Sequence, residues 1–531
     1  MSKSVLKNII NNLKSKCDDE RTKAAQHLQN IVVNEVQGKP IEFVKTFIED
    51  INYQIVKLFR ANSETSAKKG GLLAMITLID LDVGDRITQC TKFANIIRDL
   101  PVASDVSLME LEAYTIGKIA EVSGSLTTKY MDFEVGKAVE WLRTEQIDRH
   151  SDKKHCGALR LRELAKFAPA FFVPHMSQFF DCIFNAICDQ KPIVRECGVD
   201  ALRSALFVLA SRETEENQNP KWYEHCYQEA IKNFETPADL AYQTLSQKDR
   251  ARRDDKIHGS LMVLNELFAV CDNPAFLNTH HLTNTTTSSN NLSLPQNFST
   301  PSTLTAHESP TCRQLLNEKF TYICDIIMRQ KTSKNPYIIN ILLILIPRMA
   351  AFNKEYFVER HLAETVDYLL NGLRSTRDRS KFFIAVGRLA TGVKRNLKPY
   401  VPRIMDAIRS CLPSKDPRKA RNSSTGNIIT EPCVFECISL IAQALGPLIE
   451  PEIRSQDFLD QMTMSGLSPA LASAFLELSI QIPQLRREIH NHLLHMLSIV
   501  LMQKPFKNPG LPDNQATSFA SQTLQVQPPD F

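Results

Sequence analysis

Apolar residues three and four positions apart recur down the chain in blocks such as Gly157-Ala158-Leu159-Arg160-Leu161-Arg162-Glu163-Leu164-Ala165, each preceded by a short charged stretch. That spacing lines one face of an α-helix with apolar side chains. Comparable positions fall at Ile31, Leu78, Ile119, Leu164, Leu206, Leu267, Met349, Leu389, Leu445 and Leu478. Neighbouring positions are mostly about 40 to 47 residues apart, the period of paired-helix HEAT or armadillo repeats. The pattern predicts an all-α chain, a HEAT/armadillo-like α-solenoid of about ten helix pairs. An array of this kind is an extended scaffold, so the first functional expectation is partner binding rather than catalysis.

The same reading divides the chain into a first repeat array over residues 1–272 and a second over 311–504. Between them, residues 273–310 turn abruptly to Thr, Ser, Asn and Pro, too few apolar groups to offset the entropy of ordering, and a disordered insertion is expected. A polar, basic loop at 413–432 carries Lys415, Arg418, Lys419 and Arg421. It is expected to be solvated, with an acidic partner as the alternative. Pro505, Pro509 and Pro512 stop helix formation, which leaves 505–531 as a flexible tail. With no polar capping repeat before it, the second array is expected to lack a partner surface or the rest of a longer polypeptide.

Within the arrays, Asp189-Gln190-Lys191-Pro192-Ile193-Val194-Arg195 reads as the turn between the two helices of a repeat. An acidic group there sits well against the exposed amides of the following helix. Asp18 or Asp19 before Arg21, and Asp152 before Lys154, repeat this loosely. Lys68 to Ala74 and Arg252 to Gly259 read as helix openings, with Gly70, Gly71 and Gly259 small enough to let paired helices approach closely. The longest apolar run, Ile338 to Ile346 apart from Asn340, stops at Pro347. It is far short of the roughly 20 residues of a membrane span and reads as a buried repeat helix.

Composition narrows the picture a little further. A chain of 531 residues with 43% hydrophobic side chains can bury a large core, and 17 glycines are few for a β-rich or phosphate-loop protein. The formal charge of +4 demands neither nucleic acid nor an anionic membrane. The opening Met1-Ser2-Lys3-Ser4-Val5-Leu6-Lys7 lacks the apolar core of a secretory signal. The 13 scattered cysteines then read as reduced thiols of a cytosolic protein.

Candidate chemistry is sparse. His490, His492 and His495 lie close together on a predicted helix, and Cys433 and Cys437 are one turn apart, but neither group has companion ligands at a metal-binding spacing. Amphipathic exposure and core packing are the readings for them. Thr300-Pro301 and Ser309-Pro310 match the minimal pattern of a proline-directed kinase, which ordinary loop sequence also produces. Asn284, Asn291 and Asn297 sit in N-glycosylation triplets that a chain without a secretory signal would not present to the enzyme. No serine elbow, metalloprotease helix or Rossmann fingerprint is present. No catalytic, cofactor-binding or metal residue is therefore assigned, and the partner-binding residues stay unassigned.

Several segments resemble the N-terminal HEAT region of the target of rapamycin (TOR) serine/threonine kinases, members of the PI3K-related kinase family. They are Lys68 to Ala74, Tyr130 to Val135, Asn219-Pro220-Lys221-Trp222-Tyr223, Arg253 to Leu267, Leu397 to Arg403, Gly466 to Leu471, Gln481 to Leu485 and Val500 to Pro505. The resemblance runs from about Leu13 to Gly510 outside the two polar insertions. It implies a fragment or truncated form of a much longer kinase, ending inside or just after the first HEAT region. Gly84-Asp85-Arg86 resembles the opening of the family's catalytic loop, but Ile87 stands where that loop continues with His, and no Asp-Phe-Gly or Gly-rich nucleotide loop follows.

With no kinase motifs in the chain, no enzyme activity is expected of it; the resemblance implies a full-length serine/threonine kinase, whose kinase domain, expected to be absent here, alone needs ATP and magnesium. It also implies a role in assembling a TOR complex for nutrient and growth signalling, self-association within a TOR dimer, and raptor and the small GTPase Rheb as partners. Residues Asn62 to Tyr114 are the better candidates for the GTPase. A cytoplasmic location is expected, with recruitment to lysosomal or other endomembranes through partners and access to the nucleus. Direct nucleic-acid binding and a transmembrane segment are not expected. The alternative is a HEAT-repeat transport receptor or phosphatase scaffold.

Overall fold

Each of the ten marker positions read from the sequence falls in the second helix of a helix pair. The computed structural model describes residues 3–60, 63–81, 83, 85–123, 128–144, 150–214, 220–234, 246–271, 308–374, 378–413, 432–455 and 458–502. Every regular element of more than one residue among them is helical. The chain divides into two compact units, Met1–Thr321 and Tyr322–Phe531.

In the first unit the second helices are Asp18–Val36, Thr65–Asp80, Val106–Ser123, Ser151–Phe167, Pro192–Ala210 and Gln247–Val270, and each packs on the next in a continuous ladder. In the second unit Pro336–Phe352, Arg379–Val393, Pro432–Leu445 and Pro469–Gln481 stack in the same way. Leu78, Ile119, Leu164, Leu206, Leu267, Met349, Leu389, Leu445 and Leu478 are all buried in these ladders. Ile31 is half-buried instead, because Leu28 and Val32 take the core-facing positions of its helix. The fold is an all-α HEAT-like solenoid.

Local signals set the helix starts. Ser246 and Ser468 accept hydrogen bonds from the amides of Asp249 and Leu471, and Pro469 occupies a position whose amide would have no helical partner. The helices around Lys68 and Arg252 begin earlier than their charged residues suggest, at Thr65 and Gln247. Gly70 and Gly259 therefore lie inside helices, each against the end of another helix. A Cβ on Gly70 would overlap the Leu13 carbonyl oxygen, and one on Gly259 the Ile187 carbonyl oxygen.

Pro347 does not end its helix, which continues to Phe352 and buries Met349 and Ala350. One stretch, Pro432–Arg454, is long and apolar enough to cross a membrane, with half of its apolar window buried. Its Pro432–Leu445 part is a rung of the ladder, the position of a core helix.

Candidate partner-binding surfaces

A buried network of charges holds three successive second helices of the first unit. Asp189, in the turn before Pro192–Ala210, is almost fully buried. Its Oδ1 accepts from Ser151 Oγ at 3.0 Å and from the Lys191 amide at 3.0 Å, and its Oδ2 lies 3.5 Å from Lys154 Nζ. One turn on, Arg195 Nη1 donates to the Asp189 and Gln190 carbonyls at 2.7 and 2.9 Å and to Asp255 Oδ1 at 2.8 Å. Its Nε donates to His258 Nδ1 at 3.0 Å. Burial, reinforced by the Arg195 charge, depresses His258 to about 3, so the ring is neutral and its Nδ1 can accept.

A second network lies one repeat earlier. Arg160 donates to Glu134 at 2.5 Å, stands 3.8 Å from Glu112 and covers the Trp141 ring at 4.7 Å. Two buried carboxylates thus share one guanidinium, and burial, only partly offset by Arg160, raises Glu112 to about 7. These groups face neighbouring helices rather than a cleft. Their chemistry is that of inter-repeat locks, since an unpaired buried charge is strongly destabilising.

The surface of the first unit is organised differently. The helix Thr65–Asp80 buries eleven of its 16 residues and offers partners little. The first helices of the pairs instead leave apolar side chains in solvent: Ile41, Phe43, Tyr53 and Val56 on Ile41–Val56, Ile87 on Arg86–Arg98, and Phe133 on Thr128–Arg143. A buried hydrogen bond from Gln89 Nε2 to Asn52 Oδ1, 3.1 Å, ties the first two of these helices together. Among the described residues of the first unit, six of the eight exposed large apolar residues lie on first helices, with Val33 and Ile193 on second helices, and this gathering marks a candidate protein-binding face. Within the Asn62 to Tyr114 segment, where Asn62 lies outside the described residues, Arg86–Arg98 exposes Ile87, Thr88, Thr91, Lys92, Asn95 and Arg98.

The other residues singled out in the sequence have structural places. Lys154, Asp189 and Arg195 come together, whereas Asp152 is half-buried and pairs with Lys191 Nζ at 2.9 Å. Arg21 pairs with Asp18 and donates to the Ser15 carbonyl at 2.5 Å. Asp85 caps Arg86–Arg98 by accepting from the Thr88 amide, and Arg86 donates to the Ile79 carbonyl at 2.9 Å. Gly84 lies outside the described residues.

His490 and His495 are exposed, and His492 faces Asp460 at 3.6 Å. No group of three potential metal ligands occurs among the described residues. Cys433 and Cys437 are buried on the second-helix ladder. Ser309 is fully buried: it caps Pro310–Arg329 through the Cys312 amide at 3.0 Å and donates to Glu213 at 2.8 and 2.9 Å. Thr300, Pro301, Asn284, Asn291, Asn297, the basic residues of the 413–432 loop and the 505–531 tail lie outside the described residues. Glu112, Glu134, Asp255 and His258 had no sequence signal, because each meets its partner 26 or more residues away.

Comparison with known proteins follows this architecture. The chain is 36% identical over 547 aligned residues to the serine/threonine-protein kinase mTor of Drosophila melanogaster, covering 94% of this chain and 21% of the fly protein. It is 27% identical over 498 residues to the serine/threonine-protein kinase tor1 of Schizosaccharomyces pombe, covering 94% and 18%. The chain thus spans about a fifth of the length of these relatives. Among solved structures, yeast importin-beta superposes with a TM-score of 0.55 at 12% identity, over 93% of this chain and 60% of that one. That likeness is one of fold. No protein-family profile matches the chain.

Proposed function

The chain is a homologue of the N-terminal region of the TOR kinases, and on that premise we propose that it is a non-catalytic scaffold that binds regulatory proteins of a TOR complex. The observation that carries this reading is the match across 94% of the chain to a kinase of which it spans 21%. The structure supports it physically. Second helices form a locked ladder, and first helices of the first unit present apolar side chains to solvent. A rigid frame with an apolar rim suits protein partners better than a small substrate.

In this reading the partners are raptor and Rheb, self-association occurs within a TOR dimer, and the setting is cytoplasmic nutrient and growth signalling, with recruitment to endomembranes through those partners. Phosphotransfer, with its ATP and magnesium, belongs to a kinase domain outside this chain. The test is capture of purified raptor, of Rheb loaded with GTP or GDP, and of Ran loaded with GTP by the immobilised chain. Retention of raptor or of GTP-loaded Rheb, weakened by Ile87→Glu or Phe43→Glu, supports the scaffold reading. Retention of Ran alone would replace it with a transport receptor, and phosphotransfer that survives repurification would overturn the non-catalytic assignment.

A further inference from the structure

The turn that leaves the helix Arg379–Val393 of the second unit carries two costs that the chain does not recover within itself. The first is conformational. Lys394, just past the last residue of that helix, has φ +50° and ψ −131°, on the left-handed side of backbone space where a β-carbon is crowded. Glycine takes such a turn without strain. The next rung does so: Pro432–Leu445 ends at Gly446, with φ +54°, and likewise continues into a 3-10 helix.

The second cost is electrostatic. Lys394, Arg395 and Lys398 are exposed within five residues, and no carboxylate among the described residues pairs with any of them. By contrast, Lys331, Lys381, Arg403 and Arg409 of the same unit face Glu364, Asp378, Asp367 and Glu452 at 2.6, 3.1, 2.7 and 3.1 Å. Arg395 and Lys398 are three apart in the 3-10 helix Lys394–Tyr400, so they project from the same side. A helix C-terminus favours one neighbouring cation. It calls neither for three nor for a lysine at the strained position, since Arg395 alone would serve. The platform is also rigid, because buried Leu397 pins it to the core and Pro399 fixes the backbone beside it. Strain kept at one place together with uncompensated charge is the mark of a site that an outside group completes.

We propose that Lys394, Arg395 and Lys398 form a docking point for an extended acidic segment of a partner protein, whose carboxylates meet the three cations. Exposed Asn396 between them offers its amide to the main chain of that segment. A protein fits better than the other polyanions. No large apolar side chain is exposed from Lys394 to Arg403, so the turn gives a bilayer charge without an apolar anchor. Its one aromatic ring, Tyr400, is half-buried and gives a nucleic-acid base no open face for stacking. This docking point does not depend on which proteins the first unit binds.

The probe is a fluorescein-labelled glutamate-rich peptide, with a glutamine-rich peptide as its uncharged counterpart, titrated with the full 531-residue chain. Saturable binding is expected for the glutamate peptide alone. It should weaken at least about tenfold in the double variant Arg395→Ser, Lys398→Ser. It should be unchanged in Arg329→Ser, Lys334→Ser, which removes the same charge from two other exposed cations of the unit. Lys394→Gly should raise the melting temperature by relieving the turn and yet weaken the peptide, a pairing that a purely structural lysine would not show. Carbodiimide crosslinking should place the peptide on Lys394 or Lys398. Absence of binding, equal loss in both double variants, or a Lys394→Gly chain that binds like the parent overturns the proposal. So does tighter retention of phosphatidylserine vesicles or of a single-stranded oligonucleotide than of the peptide, when Arg395→Ser, Lys398→Ser abolishes it.

Discussion

Arg195 and His258, 63 residues apart in sequence, share a buried hydrogen bond of 3.0 Å in which the guanidinium Nε donates to the imidazole Nδ1. This places a permanent cation against a histidine that must stay neutral. The same guanidinium satisfies two turn carbonyls and Asp255, so one side chain fastens Pro192–Ala210 both to its own turn and to Gln247–Val270. Arg195→Met strips that set of partners and should cost about 3–5 kcal/mol. Arg195→Lys should recover only part of the loss, since an ammonium cannot reproduce the planar fork. Denaturant unfolding of the three proteins at neutral pH checks both; equal stability of the Met variant and the parent chain would refute the lock.

The neutral histidine also fixes a pH dependence. His258 is depressed to about 3 and buried His155 to about 4, while an unfolded histidine titrates near 6.5. As pH falls below 6.5 the unfolded chain takes up protons that these two rings refuse in the folded state. Stability should therefore be flat in this respect above 6.5 and decline as pH drops towards 4 by about 1.4 kcal/mol per pH unit for each histidine. His258→Gln, which keeps a hydrogen-bond acceptor and cannot titrate, should reduce the slope by about half. Unfolding series at pH 7, 6 and 5 give that comparison directly.

Glu112 works in the opposite direction. Burial raises it to about 7 from an ordinary value of 4.5, so the folded chain holds a proton that the unfolded chain has released between those limits. Its contribution is fully present below about 4.5 and is lost as pH rises through 7. Glu112→Gln should leave stability near pH 5 almost unchanged and raise it at pH 8 by about 2–3 kcal/mol, with Glu134 still pairing Arg160 at 2.5 Å. A variant less stable than the parent at every pH would show that Arg160 needs both carboxylates.

Two glycines should respond with opposite signs to one substitution. In the interior of an exposed helix, Gly→Ala stabilises by about 0.5–1 kcal/mol. Nothing lies within 4 Å of the place a methyl group on Gly136 would take, so Gly136→Ala should show that gain. At Gly259 the methyl group would meet the Ile187 carbonyl, backbone that cannot turn aside, and Gly259→Ala should lose several times as much as Gly136→Ala gains. Melting temperatures of the pair, measured side by side, decide it.

The ladder was legible because its signal is local. Apolar residues three and four apart define a helix face within two turns, and ten marker positions were enough to find ten second helices. The first helices were harder to see, being shorter, broken and partly apolar towards solvent, as with Met176–Cys182 and Phe184–Ile187. Charged residues misled in a consistent way. Lys68 and Arg252 read as helix openings although the helices start at Thr65 and Gln247, because a charged first turn and an exposed helix face look alike in sequence. Nothing in the sequence ties Glu134 or Asp255 to a partner, and only the fold shows that Arg160 and Arg195 stand opposite them. Nor does sequence distinguish the apolar faces that are covered, such as that of Leu478, from those left open at Leu476 and Ile480.

Ser309 shows how burial decides what a short motif can do. Followed by Pro310, it matches the minimal pattern of a proline-directed kinase site, yet its side chain is fully buried, caps the helix that Pro310 opens and donates to both oxygens of Glu213. A phosphate there would add about two negative charges beside that carboxylate. It would also remove the hydroxyl proton that Glu213 receives. Ser309→Ala should cost about 1–3 kcal/mol, from the lost cap and the unsatisfied carboxylate. Ser309→Asp keeps a capping oxygen but sets two carboxylates together in a buried site, and it should be the less stable of the two above pH 6. In acid, where one carboxylate can hold a proton and donate to the other, the difference should narrow. Thermal unfolding of both variants at pH 5 and pH 8, with proline-directed kinase treatment of the folded parent chain as a third arm, tests the assignment. Stoichiometric phosphorylation of Ser309 in the folded chain, or an Asp variant as stable as the parent at pH 8, would contradict it.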